Sequence, residues 1–174
     1  MTLPRLWAGW RSPYMDEATS GDDTGERSGC VFCRILASDA PPAETYVVWR
    51  DEVCAVLLNA YPYTSGHLLV MPTRHVGEIE ELDGSEGAAV WATATTAVRA
   101  LKSAYRPEGL NLGVNLGRPA GAGVPGHFHV HVLPRWNGDT NFMTTVAESR
   151  VLPEALPDTY AKVRDAWPRP TSNR

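Results

Sequence analysis

Short apolar runs bounded by turn residues fill residues 45–72, a long stretch with apolar side chains every three or four positions follows, and short runs return from residue 110. The first and last patterns are those of strands and the middle one that of a helix. Residues 45–50 and 53–58, separated by Asp51-Glu52, read as a hairpin, and residues 67–72 as a third strand after the Pro/Gly/Ser loop 59–66. Asp83-Gly84-Ser85-Glu86 has the form of a capping box, and Trp91, Ala94, Val98, Leu101 and Tyr105 then give one apolar stripe of an amphipathic helix. Arg106-Pro107-Glu108-Gly109 ends it. Residues 110–117 read as a strand, residues 118–126 as a glycine-rich connection, and a closing helix over 151–167 carries Leu152, Leu156, Tyr160, Val163 and Trp167.

The segment His127-Phe128-His129-Val130-His131-Val132-Leu133-Pro134-Arg135-Trp136 changes the picture from fold to chemistry. Its period of two puts three imidazoles on one face and Phe128, Val130 and Val132 on the other, with Pro134 expected to stop the strand. Three of the five histidines of the chain stand in this row. Such a row either chelates a transition metal or uses one imidazole as a nucleophile flanked by proton donors.

A net charge of −4 over 174 residues, with no Lys/Arg cluster, argues against a surface for duplex nucleic acid or membrane, while a small anion held by local groups remains allowed. No apolar run approaches the roughly 20 residues of a membrane span, and residues 1–14 lack a signal-peptide layout, so a cytoplasmic protein is expected. Cys30-Val31-Phe32-Cys33 fits a reducing compartment, as half of a zinc site, a redox pair or plain core cysteines. Missing zinc ligands would have to be histidines, with His75 and His127 as candidates. Cys54, in a strand pattern, reads as an inert core residue. Residues 6–15 are aromatic-rich without a clean period and are expected to dock on a surface; residues 16–28 have linker composition.

His-x-His-x-His followed by two apolar residues resembles the signature of the histidine triad family, and Pro134-Arg135 also fits. That resemblance, which covers about residues 29–145, implies nucleotidyl transfer or hydrolysis on nucleoside phosphates with His129 as nucleophile. It further implies that Asn59 bonds ribose hydroxyls, that His67 is a fourth histidine of the site, and that the loop before His127 binds phosphates. Members that begin with Cys-x-x-Cys resemble the set that holds zinc on two cysteines and two histidines, here Cys30, Cys33, His75 and His127. One departure stands out: where the family commonly has Gln or Gly followed by Ser or Thr, this chain has Ala122 and Gly123. Residues 136–143 and the aromatic start are similar to the bacterial diadenosine tetraphosphate phosphorylase branch.

The expected fold is α+β, an antiparallel sheet of about five strands with one long helix across it and a C-terminal helix. The expected organisation is an N-terminal arm over 1–28, a catalytic domain over 29–145, and a C-terminal helix and tail over 146–174. His129 would attack the α-phosphorus of a dinucleoside polyphosphate or nucleoside phosphoramidate. His131, Asn115 and the amides of Gly123 and Val124 would stabilise the charge on the phosphoryl oxygens, with His67 supporting. Zinc would be structural, the chemistry would need no cofactor, and a homodimer is implied. Small residues at Ala122 and Gly123 favour phosphate over water as acceptor, because they leave room and exposed amides for a second anion. Competing readings are a metal enzyme using the three histidines as ligands and a nucleotide-binding module without turnover.

Overall fold

The computed structural model describes residues 27–140 and 154–168. Its centre is a five-stranded sheet in the order β1-β2-β3-β5-β4. The strands are β1 (Val47–Arg50), β2 (Cys54–Leu58), β3 (Leu68–Pro72), β4 (Gly109–Val114) and β5 (Val130–Arg135), and every neighbouring pair is antiparallel. Helices α1 (Val31–Ala37), α2 (Pro42–Thr45), α3 (Gly84–Tyr105) and α4 (Leu156–Ala166) complete it, so the α+β expectation holds. Expectations for residues 1–26, 141–153 and 169–174, Leu152 among them, lie outside the described residues.

Each face of the sheet has its own core. On one, Val56, Leu58, Leu68, Val70, Val130 and Val132 meet Val90, Ala94, Ala97 and Leu101 of α3, with Val163 and Trp167 from the α4 end. On the other, Ala55, Leu57, Leu69 and Met71 meet Cys30, Phe32 and Leu36 of the α1 segment. Asp83 caps α3 by accepting the amides of Ser85 and Glu86, while the Glu86 carboxylate accepts the Asp83 amide. The same carboxylate takes two hydrogen bonds from Arg74 at 2.7 Å, which ties the helix start to the chain following β3.

Several expectations need correction. Trp91 is 53% exposed, because α3 lies on the sheet through Val90 and a row of alanines; small side chains let the helix come close, and the large indole hangs off the flank. Pro134 does not stop the last strand but sits inside β5. Its carbonyl accepts from the Thr64 hydroxyl at 3.2 Å, so its nitrogen also faces the β3 side, where pairing already ends at Leu68 and Val132. No ladder bond is lost. The closing helix begins at Leu156 among the described residues, and the strand expected over 110–117 is β4, ending at Val114. Helix α2, ended by Tyr46 in the left-handed conformation (φ 56°), was not foreseen.

The two sheet edges differ. At β1, Arg164 of α4 donates to the Val48 carbonyl, the Tyr160 hydroxyl reaches that of Val47, and Trp167 stacks on Trp49 with ring centroids 5.9 Å apart. At β4, Leu112 and, just beyond, Leu116 are exposed.

Candidate functional site

The histidine segment enters the sheet with the Phe128 amide donating to the Val76 carbonyl at 2.6 Å. Only His131 lies within β5; His127 and His129 precede it, in chain outside the ladder. Phe128, Val130 and Val132 join the core beneath α3, so the three histidines belong to the opposite side. All three are buried, and His129 is only 6% exposed.

His127 is drawn away from the other two. Its Nδ1 lies 3.4 Å from the Cys30 sulfur and 3.5 Å from that of Cys33, and Cys33 is 3.4 Å from His75 Nδ1. The four ligand atoms all lie within 4.8 Å of one another. A tetrahedral zinc ion, with bonds of about 2.3 Å to sulfur and about 2.1 Å to nitrogen, spaces such atoms by about 3.6 Å. The donor set and its spacing therefore fit that ion. His127 Nε2 lies 2.9 Å from the Pro72 carbonyl, which puts the proton on Nε2 and leaves Nδ1 as the lone-pair donor. Burial and the neighbouring Cys30 push the Cys33 thiol up to about 11, a preference for the neutral form that a divalent cation would reverse. Among the described residues this is the one convergent set of possible metal ligands, so a metal enzyme built on His127, His129 and His131 together gains no support.

The remaining histidines form a chain of hydrogen bonds whose direction can be read from its fixed end. The Tyr63 amide donates to His67 Nδ1 at 3.1 Å, and a backbone N–H can only donate. His67 is thereby protonated on Nε2, which lies 2.8 Å from His131 Nδ1 and donates to it. His131 must then carry its proton on Nε2, a buried atom with no hydrogen-bond partner among the described residues. Burial, together with repulsion from His129, pushes the His131 pKa down to about 4, so the ring is neutral near pH 7.

His129 complements this donor. Its Nδ1 donates to the His127 carbonyl at 2.7 Å, leaving a lone pair on Nε2, and burial lowers its pKa, keeping the lone pair free of a proton. The His129 and His131 rings are 4.9 Å apart in an edge-to-face arrangement. Phe32 of α1 stands edge-on to both His129, at 5.2 Å, and His127, at 5.6 Å. One imidazole offers an electron pair and its neighbour an N–H, which is the equipment for attack on a phosphoryl group and stabilisation of the oxygen it releases.

Of the other expected residues, Asn59 spends its amide locally: its oxygen accepts the Tyr61 N–H at 3.0 Å and its nitrogen lies 3.2 Å from His67 Nδ1. Asn115 donates to the Gly121 carbonyl at 3.3 Å and so braces the glycine loop. That loop contains a 3-10 turn, Arg118–Ala120, and its Gly123 and Val124 amides donate to no backbone carbonyl among the described residues. Three participants had no sequence signal: the Tyr63 amide, the Pro72 carbonyl and the Phe32 wall.

Comparisons with known proteins agree with this fold. The HIT domain matches residues 41–138. An AP-4-A phosphorylase of Mycobacterium tuberculosis is 39% identical over 167 residues, covering 96% of this chain and 86% of the relative. The adenylylsulfatase HINT3 of Arabidopsis thaliana is 34% identical over 125 residues, 70% of this chain and 61% of the relative. A Zn-bound histidine triad family protein from Mycobacterium smegmatis superposes with a TM-score of 0.66 at 29% identity, covering 82% of this chain and 95% of that one. With its domain match, its relatives and its histidine row in agreement, the chain belongs to the histidine triad family.

Proposed function

We propose that this protein is a nucleotidyl transferase that cleaves dinucleoside polyphosphates, such as diadenosine tetraphosphate, with inorganic phosphate as the acceptor. The observation that carries the reading is the pairing of a free His129 Nε2 with an unpartnered His131 Nε2–H. His129 Nε2 attacks the α-phosphorus and the bond to the bridging oxygen breaks. The departing nucleotide leaves as an anion whose oxygen takes the hydrogen bond from His131. The nucleotidyl-imidazole keeps its Nδ1–H on the His127 carbonyl, which steadies the positive charge on that ring. A phosphate oxygen then attacks the same phosphorus, the P–N bond breaks, and a nucleoside diphosphate leaves with His129 restored.

The amides of Gly123 and Val124 would hold the phosphoryl oxygens, and Asn115 would fix their loop. Asn59 bonds the ribose in this reading through whatever capacity its turn leaves, and positions His67 as well. The choice of phosphate rests on the small Ala122 and Gly123 and on the 39% identical AP-4-A phosphorylase. Cys30, Cys33, His75 and His127 would bind zinc as a structural ion that joins the α1 segment to the β3–β5 side of the molecule; the reaction draws nothing from it. A homodimer would join through β4, whose exposed Leu112 and neighbouring Leu116 supply apolar area.

Product analysis with diadenosine tetraphosphate tests the activity. Phosphorolysis gives ADP and ATP at a rate that rises with added phosphate. AMP and ATP at a phosphate-independent rate would replace it with hydrolysis, and nucleotide binding without products would reduce the protein to a binding module.

A further inference from the structure

The loop that carries His67 holds two exposed aromatic rings, Tyr61 and Tyr63, close to the histidine row. Tyr61 is 81% exposed and Tyr63 is 39% exposed. They flank Pro62 on a backbone fixed at both positions, the Tyr61 amide by Asn59 Oδ1 at 3.0 Å and the Tyr63 amide by His67 Nδ1 at 3.1 Å. The proline ring removes one more freedom between them. Polar side chains would serve such a turn as well, and large apolar surface left in water gains nothing for stability.

The Tyr63 ring is also placed against the reacting groups. It lies nearly parallel to His131, 16° between planes with centroids 5.8 Å apart, and 4.6 Å from the His67 ring. His131 carries the N–H that meets the leaving oxygen, so the departing group emerges beside Tyr63. Polyphosphate finds no charge complement in a phenol ring, but a nucleobase presents a π-face that any aromatic platform can take.

We propose that Tyr63, extended by Tyr61, forms a stacking subsite for the nucleobase of the departing nucleotide, so that the enzyme prefers substrates with a nucleoside at both ends of the phosphate chain. This rests on the dinucleoside polyphosphate reading above. Stacking of one base on an aromatic side chain corresponds to roughly fivefold to a hundredfold in affinity.

Two methylene-bridged ligands that cannot be cleaved test it by calorimetry: an analogue of diadenosine tetraphosphate and the matching adenosine tetraphosphate analogue without the second nucleoside. Wild-type protein should bind the first about tenfold more tightly. Tyr63→Leu should erase that preference by weakening only the two-ended ligand, Tyr63→Phe should keep it, and Tyr61→Ala should reduce it. Equal affinities in the wild type overturn the subsite. So does an equal loss of both ligands in a folded Tyr63→Leu protein, since the ring would then merely support His131. Because neither ligand turns over, a failure of the catalytic reading appears separately, as diadenosine tetraphosphate that binds with this preference and yields no products.

Discussion

His127 and His129 stand two residues apart on one stretch of chain, and their surroundings give them opposite capacities. Both nitrogens of His127 are engaged, Nδ1 toward two sulfurs and Nε2 toward the Pro72 carbonyl. Among the described residues His129 is held by Nδ1 alone, which leaves the Nε2 lone pair for the attack proposed above. The ring chemistry is the same in each. What differs is how many of its two nitrogens the fold consumes, and a reactive imidazole is one whose partner count is deliberately one short.

The sharpest way to break this contrast is His129→Ala, which should lower kcat by at least about a thousandfold while nucleotide still binds. Retention of a tenth of wild-type kcat would remove His129 as the nucleophile. Because His129 is buried against Phe32, the variant should also lose stability, by about 1–2 kcal/mol in chemical denaturation. His67→Leu comes next. Without an N–H donated to His131 Nδ1, that ring is free to adopt the other tautomer and turn its donor away from the site, so kcat should fall by about tenfold to a hundredfold with KM little changed. A larger rise in KM than fall in kcat would show that His67 serves binding instead.

On the consumed side, Cys30→Ser should lower bound zinc and the Tm by roughly 10 °C, with kcat at 15 °C within a few fold of wild type. Unchanged metal content and Tm would leave the four residues without an ion. Smallest is the pH effect. An unfolded histidine binds a proton near pH 6.5, and the folded His131 waits until about 4, so between those values the unfolded chain holds more protons. Stability should fall by about 1 kcal/mol per pH unit as pH drops through that window and stay level above it. A flat denaturation midpoint from pH 7 to 4.5 would contradict a neutral, buried His131.

Much of this was legible in the chain itself, and the rest was not for identifiable reasons. The strands, the capped helix and the histidine row show as periodicity, because local spacing decides which side chains share a face. Cys30 and Cys33 offer a possible ligand pair by their spacing, which serves a redox pair or core cysteines equally well. The direction of the proton chain is set by the backbone amide of Tyr63, and amides carry no residue identity to read. Trp91 misled because hydrophobic size marks a helix face less well than fit does; the α3 interface sets three alanines between Val90 and Leu101. Pro134 misled because its nitrogen happens to face the side where β3 has already ended.

The unequal sheet edges bear on how far self-association can run. A subunit with two bare edges can pass strand pairing from copy to copy without limit, which is the geometry of a fibre. Here the carbonyls of Val47 and Val48 are already taken by Tyr160 and Arg164, and Trp167 lies over Trp49, so β1 offers little to a newcomer. Among the described residues, only β4 remains to be extended. In the homodimer proposed above, two copies joined there by a two-fold axis would present only sealed margins outward, and the assembly would close at a pair.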